Sequence, residues 1–342
     1  MNNTNKPSHS RNWPRVAVIG CGYWGKNLVR NFAALDVLAA LADHHPEHVN
    51  ALIAQFGGSA KTFEEVLADK SIPAVVIATP GHTHFELALA ALNAGKHVFV
   101  EKPMTLSFAS AETLARKAEK SKLTLMVGHV LRYHGAFVKL HAMAQAGAFG
   151  RIRHVISTRF NLGKILDDED ALWALSPHDI SMIISLLGPN PSSISAYGNS
   201  FLREDIIDVA TLRLDYDGQA SAEIRLSWMH PVKEHKLTVI GEKAMAVFDD
   251  TQGWENKLTV YRPDLDWDNP AIIPAPGAPE KISLSPSEPL REECVHFLEC
   301  VATSQQPLTH HREGATVTRI IEEASMQLAA MRPAFNQRSK LS

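Results

Sequence analysis

A glycine-rich turn near the amino terminus constrains the fold of this chain more than any other feature. Residues 15–19 form a short apolar stretch rich in β-branched side chains, which predicts a buried parallel strand. The run Gly20-Cys21-Gly22-Tyr23-Trp24-Gly25 follows directly, and a helical pattern begins at its end. A strand, a Gly-x-Gly-x-x-Gly turn and a helix in this order are typical of a dinucleotide-binding site.

Each glycine of this turn has a predicted task. Gly20 allows the tight backbone, Gly22 lets a pyrophosphate come close, and Gly25 allows the helix to pack on the strand. The first amides of the helix then face the phosphates. Tyr23 and Trp24 lie inside the turn, so we expect them to border the cofactor.

An acidic residue after the second predicted strand indicates which dinucleotide binds. Residues 37–42 form that strand, and Asp43 follows it. A carboxylate at this place binds the ribose hydroxyls of adenosine and repels a 2′-phosphate, so the cofactor is predicted to be NAD(H) rather than NADP(H). His44 comes next and is expected beside the adenosine. The alternative is that Asp43 only shapes the turn.

The first half of the chain alternates strands with helices. Further apolar strands are predicted at residues 74–78, 97–100 and 123–127. Between them, Thr62 with Glu65 and Thr83 with Glu86 have the spacing of helix capping boxes. Strands separated by helices imply right-handed crossovers, so this half is predicted to be an α/β domain with a doubly wound parallel sheet of the Rossmann type.

The second half is predicted to be an α+β domain. Closely spaced strands are predicted at residues 151–160, 192–197, 209–216, 220–228 and 235–248. Helices are predicted at residues 177–187, 289–301 and 312–331. The pair Asp217-Gly218 is typical of a hairpin turn, which indicates a largely antiparallel sheet. Helices on one face leave the other face open, so we expect a homodimer or homotetramer formed through that open face.

Length and composition complete this outline. The 342 residues suffice for a NAD-binding domain at 15–135 and a substrate-binding and oligomerisation domain at 136–332. Residues 1–14 are predicted to be a disordered polar leader, and 333–342 a tail. A net charge of −3 without long runs of one sign argues against a nucleic-acid partner, and no apolar run is long enough for a membrane span. Three cysteines without metal-type spacing favour a reducing, cytoplasmic setting.

Several short motifs follow the glycine turn in a characteristic order. They are Ala78-Thr79-Pro80-Gly81-His82-Thr83-His84, Glu101-Lys102-Pro103, Gly128-His129, Arg132-Tyr133-His134, Pro177-His178-Asp179 and Arg312-Glu313-Gly314. In this order, and over nearly the whole chain, they resemble the Gfo/Idh/MocA oxidoreductases, a family named after glucose–fructose oxidoreductase and inositol dehydrogenase. The resemblance implies a nicotinamide cofactor and a dehydrogenase that acts on an alcohol.

The resemblance also implies a catalytic lysine. In this family the lysine of the Glu-Lys-Pro motif, here Lys102, lies beside the nicotinamide and the substrate hydroxyl. A desolvated amine there can take the hydroxyl proton as hydride leaves. The alternative is a surface lysine at a strand end. Residues implied to border the cofactor are Thr79, Pro80, His84 and Glu101.

His178 is the second catalytic residue that the resemblance implies. Pro177 at N1 and Asp179 at N3 predict a helix that begins here, with His178 in its first turn, where the helix dipole keeps the imidazole neutral. The alternative is that His178 only packs. Many relatives have Asp or Asn four residues before this histidine, where this chain has Ala174. The family's Asp–Lys–His relay therefore cannot be carried over whole, and Asp179 is expected to cap the helix or to replace the missing acid.

The Tyr-Trp pair of the turn and the segment 172–181 look most like the sugar-nucleotide branch of the family, which acts in surface-polysaccharide pathways. The implied reaction is oxidation of a secondary ring hydroxyl of a sugar such as a UDP-N-acetylhexosaminuronate. The diphosphate calls for basic side chains nearby, although such residues can also be ordinary surface charges. Candidate substrate-binding residues are Arg132, Tyr133, Arg159, Lys164, Asp179 and Arg225.

Other readings of these motifs remain. A free-sugar or inositol dehydrogenase is one, and a regulator that binds NAD and a sugar without turnover is another. Clusters such as His44-His45-His48 and His310-His311 suggest a metal, but no carboxylate or cysteine partners stand at zinc-type spacing. No metal is therefore predicted.

Overall fold

Two β-sheets organise the chain in the computed structural model, which describes residues 13–163, 165, 169–218, 220–264 and 277–331. Lys164, the predicted tail and nearly all of the predicted leader lie outside these ranges. The first sheet consists of β1 (Val16–Ile19), β2 (Leu38–Ala42), β3 (Ser59–Ala60), β4 (Ala74–Ile77), β5 (His97–Glu101) and β6 (Leu125–Gly128). Its order is β3-β2-β1-β4-β5-β6, and every neighbouring pair is parallel. The predicted doubly wound parallel sheet is confirmed.

Helices connect these strands and cover both faces of the sheet. They are α1 (Gly25–Ala34), α2 (Pro46–Phe56), α3 (Phe63–Ala68), α4 (His84–Asn93) and α5 (Phe108–Ser121). The capping box at α3 is confirmed: the Glu65 amide donates to Thr62 Oγ1 and the Thr62 amide donates to Glu65 Oε2. The box predicted at Thr83 is wrong, because this hydroxyl donates to the Pro80 carbonyl in the preceding 3₁₀ turn.

The second sheet is larger and mainly antiparallel. Its strands are β7 (Ile152–Leu162), β8 (Ser193–Asn199), β9 (Val209–Tyr216), β10 (Ala220–Ser227), β11 (Met229–Gly241), β12 (Met245–Asp249), β13 (Leu258–Tyr261) and β14 (Glu280–Lys281). Their order is β14-β13-β12-β11-β7-β10-β9-β8, and only the β7–β10 pair is parallel. The hairpin at Asp217-Gly218 is confirmed. The single strand predicted at 235–248 is wrong, because the chain reverses after Gly241 and pairs β12 with β11.

Helices line one face of this sheet, as predicted. The remaining helices are α6 (Gly135–Gln145), α7 (Ala171–Leu187), α8 (Pro289–Thr303) and α9 (His311–Met331). Helices α6, α7 and α9 share a core with the sheet. On β7, Val155 is buried between helix and sheet whereas Ile156 and Phe160 on the opposite face are partly exposed. None of the described helices is both long and apolar enough to cross a membrane.

The start of α7 differs from the prediction. The helix begins at Ala171, where the Asp170 carboxylate caps it by accepting a hydrogen bond from the Trp173 amide, and Pro177 lies inside it. Proline in a helix interior removes one backbone hydrogen bond. Here the apolar packing of α7 on the sheet compensates for that loss. His178 is therefore not in a first turn.

Helix α8 follows the second sheet in sequence but packs against the first. Phe297, which is fully buried, has its ring centroid 5.6 Å from that of Phe99 on β5. Leu290 and Leu298 of α8 belong to the same apolar cluster as β1 and α1. The carboxyl-terminal part of the chain thus closes one face of the parallel sheet.

Candidate active site

The glycine turn leaves a cradle between β1 and α1. Gly20 has φ +93°, and a Cβ there would lie 2.7 Å from the Ala78 backbone. A Cβ at Gly25 would collide with the carbonyl oxygen of Gly20, whereas one at Gly22 would meet nothing within 4 Å. Gly20 and Gly25 thus serve the backbone itself, and Gly22 borders open space. These are the tasks predicted for a turn that holds a pyrophosphate.

Asp43 lies at the end of β2, directly beside the glycine turn. Its carboxylate accepts hydrogen bonds from the Cys21 amide at 2.5 Å and the His45 amide at 2.8 Å. Burial and the nearby Asp43 raise the pKa of the Cys21 thiol to about 12. The thiol stays neutral and adds no negative charge near the expected phosphates. His44 is exposed next to this carboxylate.

Trp24 links the glycine turn to the Glu-Lys-Pro motif. Its indole Nε1 donates to Glu101 Oε1 at 2.6 Å. Glu101 is buried at the end of β5, and burial raises the pKa of its carboxyl group. Tyr23 is 86% exposed, and the Lys26 ammonium lies 5.0 Å from the centre of its ring. Trp24 therefore contacts the protein, whereas Tyr23 is free to contact a ligand.

His84 ties two of the motif loops together. The side chain is buried, with Nδ1 2.7 Å from the Pro103 carbonyl oxygen and Nε2 2.8 Å from the Thr79 carbonyl oxygen. The Thr79 hydroxyl lies 2.6 Å from that of Thr83, and Pro80 is exposed. The ring nitrogens of His84 thus position the loops expected around the nicotinamide.

The Lys102 side chain reaches from the first sheet to α7. Its Nζ donates to the Ala174 carbonyl oxygen at 3.1 Å. Ala174 and His178 are one helical turn apart, so they lie on the same side of α7. The main chain at Ala174 therefore receives the lysine where many relatives have an acidic side chain. The two predicted catalytic residues, Lys102 and His178, therefore lie close together, and the region beside their side chains is called the cleft from here on.

His178 is neutral, but for a different reason than predicted. Burial, with Arg159 and Lys102 nearby, holds the pKa of its imidazole well below the usual range. Since His178 lies in the interior of α7, the helix dipole does not provide this effect. Its Nδ1 is buried and has no hydrogen-bond partner among the described residues.

Asp179 does not cap a helix, and its carboxylate is bound by Arg159. It is buried and forms a two-pronged ion pair with Arg159, with Nε–Oδ2 and Nη2–Oδ1 distances of 2.6 Å and 3.0 Å. The Ser157 hydroxyl donates to the same carboxylate at 2.6 Å. The prediction that Asp179 is a cap was wrong, because the helix begins eight residues earlier. Arg159 and Asp179 instead fasten β7 to α7 directly below His178.

Arg132 and Tyr133 are buried beneath the cleft. Arg132 donates to the Ser181 carbonyl at 3.1 Å and, together with Glu313, lines a cavity of about 550 Å³. The Tyr133 hydroxyl lies 3.3 Å from that of Thr309. Both residues therefore contact other parts of the protein, and Arg132 also borders this cavity.

A second buried histidine, His129, lies next to His178 and contacts the carboxylate of Glu313. His129, directly after β6, has its Nδ1 2.9 Å from Glu313 on α9, and its ring stands edge-on to His178 with centroids 6.3 Å apart. Burial alone would raise the pKa of Glu313, but His129 and Arg132 lower it. Glu313 is thus held as a carboxylate.

Other predicted candidates lie elsewhere. Arg225 is on the uncovered face of the second sheet, where it pairs with Glu223 at 2.6 Å. Lys164 lies outside the described residues. Within the described ranges, no group of three histidine, cysteine or acidic residues is arranged to hold a metal ion.

His235 is a cleft residue that sequence reasoning missed. It lies on β11 directly opposite Arg159 of β7, and its Nε2 is buried without a partner among the described residues. Alternation along the strand could have revealed it, because Leu237 and Val239 are buried on the same face.

Comparison with known proteins agrees with this geometry. Residues 14–129 match the model of an oxidoreductase family with an NAD-binding Rossmann fold, and residues 137–247 match a GFO/IDH/MocA C-terminal domain. The chain belongs to the Gfo/Idh/MocA family. It is an oxidoreductase that uses NAD(H).

Three members of the comparison illustrate how similar this chain is to other proteins of the Gfo/Idh/MocA family. The UDP-N-acetylglucosamine 3-dehydrogenase of Acidithiobacillus ferrooxidans is 28% identical over 95% of this chain and 99% of its own length, and its structure superposes with a TM-score of 0.82 over 93% and 98% of the two chains. An oxidoreductase structure from Magnetospirillum magnetotacticum is 31% identical, with a TM-score of 0.78 over 90% and 98%. The scyllo-inositol 2-dehydrogenase (NAD+) of Bacillus subtilis is 25% identical over 86% and 88%.

The glycine turn gives a paired prediction for this family member. Gly22→Ala should leave the melting temperature within about 1 °C, because its Cβ enters open space, but should weaken NAD(H) binding at least tenfold. Gly25→Ala should lower the melting temperature, because its Cβ meets the Gly20 carbonyl. Calorimetry and thermal melting measure both effects. Equal NAD(H) affinity of Gly22→Ala and wild type would contradict a pyrophosphate cradle.

Asp43 gives a prediction about cofactor choice. Asp43→Ala should weaken NAD(H) binding and narrow the preference over NADP(H), because the repulsion of a 2′-phosphate is lost. Titration of both cofactors by fluorescence measures this ratio. Glu47→Ala, which removes an exposed carboxylate four residues later, is the matched control. An unchanged ratio in Asp43→Ala would remove Asp43 from the site.

Proposed function

We propose that this chain oxidises a secondary ring hydroxyl of a nucleotide sugar to a keto sugar, with NAD+ as the oxidant. Suitable substrates are UDP-N-acetylhexosaminuronates and UDP-N-acetylglucosamine. The observation that carries the proposal is that the Lys102 side chain, bonded to the Ala174 carbonyl, lies close to the neutral His178 one turn further along α7. The full-length similarity to a UDP-N-acetylglucosamine 3-dehydrogenase supports the substrate class.

The proposed chemistry assigns one task to each residue. NAD+, when bound, accepts the hydride from the carbon that bears the hydroxyl group. Lys102 in its amine form takes the proton of that hydroxyl, so the alcohol becomes a ketone. His178 forms a hydrogen bond with the sugar near the same hydroxyl group, and its imidazole stays neutral. Lys102 and His178 act as the catalytic residues, while Gly22 and Asp43 hold the cofactor.

A second candidate is oxidation of a free polyol. Inositol dehydrogenases occur among the relatives, and a polyol presents the same secondary hydroxyl groups. Ala174 argues against this reading, because inositol dehydrogenases of the family have an acidic or amide residue there. A regulator that binds NAD and a sugar without turnover is a third reading, which the presence of both Lys102 and His178 disfavours.

Lys102 provides the central test. Lys102→Met should retain NAD binding and lower kcat by a factor of about 10² to 10⁴, the usual contribution of a general base. Lys102→Arg keeps the cation but cannot accept a proton, so it should be equally inactive. NADH absorbance measures turnover, and Lys120→Met on the exposed face of α5 is the control. Activity of Lys102→Met within tenfold of wild type would contradict the role as base.

The same assay separates the three functions. A panel of UDP-sugars, UDP-uronates and inositols is offered to wild type, and the proposal expects turnover with a UDP-sugar. Turnover of inositol alone would favour the polyol dehydrogenase. Tight NAD binding without turnover of any compound would favour the regulator.

We further propose that the chain forms a homodimer or homotetramer through the uncovered face of the second sheet. That face presents the partly exposed side chains of Ile156 and Phe160, and a second copy would bury them. Light scattering on the purified protein should give two or four times the 37.6 kDa chain mass. A monomer at micromolar concentration would contradict this proposal.

A further inference from the structure

Two buried imidazole nitrogens in the cleft have no hydrogen-bond partner among the described residues. They are Nδ1 of His178 and Nε2 of His235. Buried polar atoms are nearly always hydrogen-bonded in native proteins, and one left unpaired is costly. These two nitrogens lie near the same Arg159–Asp179 ion pair, so one ligand could supply the partner of each.

The two rings belong to different elements of the second domain. His235 is directly opposite Arg159 in the antiparallel β11–β7 pair, so the two side chains are on the same face of the sheet, toward α7. His178 lies on α7, next to the Asp179 that binds Arg159. His235 is near enough to His178 that a positive charge on it lowers the pKa of the His178 imidazole. The sheet therefore supplies one ring and the helix supplies the other, with Arg159 near both.

The charge of this subsite suits a neutral ligand group. Burial lowers the pKa of His235 to about 4, and burial holds that of His178 well below its usual range, so both rings are neutral near pH 7. Each nitrogen of a neutral imidazole either donates or accepts a hydrogen bond, which complements a hydroxyl group because a hydroxyl does both. The guanidinium of Arg159 is already held by Asp179 at two atoms, so an anion finds less charge here than Arg159 alone would offer.

We propose that His178 Nδ1 and His235 Nε2 form a subsite for the hydroxyl or amide groups of a sugar ring, and that His235 is a specificity-determining residue. This inference rests on the proposed function and narrows it. The subsite takes the neutral sugar ring of the substrate, whereas the diphosphate and the nucleoside bind elsewhere.

Replacement of His235 by Phe tests the subsite, because Phe keeps a flat ring and removes both ring nitrogens, Nε2 included. The NAD-loaded protein is titrated calorimetrically with UDP-N-acetylglucosamine and, separately, with UDP. Loss of one hydrogen bond to the ligand should weaken the sugar nucleotide about ten- to hundredfold. The affinity for UDP should stay within twofold. His97→Gln is the control, since His97 stands at the opposite end of β5 from Lys102 and accepts a bond from the Thr124 amide.

Each result of these titrations either supports or overturns the proposed subsite. Unchanged affinity for the sugar nucleotide in a folded His235→Phe variant would overturn the subsite, and so would an equal loss for UDP. If wild type binds myo-inositol but no UDP-sugar, the nucleotide-sugar function falls, while a tenfold loss of myo-inositol in His235→Phe would still support the subsite. If wild type binds none of these sugars, the subsite is rejected. Should His235→Phe fail to fold, His235→Leu replaces it, with an expected loss of at least fivefold, because Leu has no polar atom to bond the ligand.

Discussion

The hydrogen bond from Lys102 Nζ to the Ala174 carbonyl joins the two halves of this molecule at the point where chemistry is expected. Lys102 stands just beyond the carboxyl end of β5, where ligands of doubly wound sheets bind. Ala174 stands on the helix that covers the second sheet. The cleft depends on this meeting, because neither sheet alone brings a lysine next to a buried histidine. Helix α8, which follows the second sheet in sequence, also packs against the first sheet.

Burial controls the charges around this cleft. Below it lie carboxyl groups in different states: Glu313 is held as a carboxylate by His129 and Arg132, while burial raises the pKa of Glu101. Glu293 on α8 is fully buried with neither oxygen hydrogen-bonded within the described chain, and burial raises its pKa well above the usual range. A proton on that group avoids the cost of an isolated buried charge. The region therefore holds few net charges.

Local sequence signals predicted the cofactor half well. Glycines with a required backbone geometry, short β-branched strands and the Thr62–Glu65 box depend on neighbours within a few residues, so the chain itself carries the information. Helix α7 was mispredicted because Pro177 at a first helical position and Pro177 inside a helix look alike locally. The capping Asp170 and the packing against the sheet decide between them.

Contacts between distant segments explain the other misses. Asp179 binds Arg159 across twenty residues and two elements, and nothing local distinguishes this from a helix cap. The position of His235 opposite Arg159 depends on strand register, which the single predicted strand at 235–248 obscured. The motifs named the residues Lys102 and His178, but only the fold shows that they share a cleft.

The main-chain carbonyl at Ala174 has a consequence for proton transfer. An acidic side chain there would stabilise the ammonium form of the lysine by a full opposite charge. A carbonyl oxygen also accepts the hydrogen bond but carries only a partial charge, so it orients Lys102 without placing a full negative charge beside it. A base must lose its proton before it can take one from substrate. With a backbone acceptor in place of the acidic side chain, the lysine keeps its orientation but has no acidic partner to relay a proton.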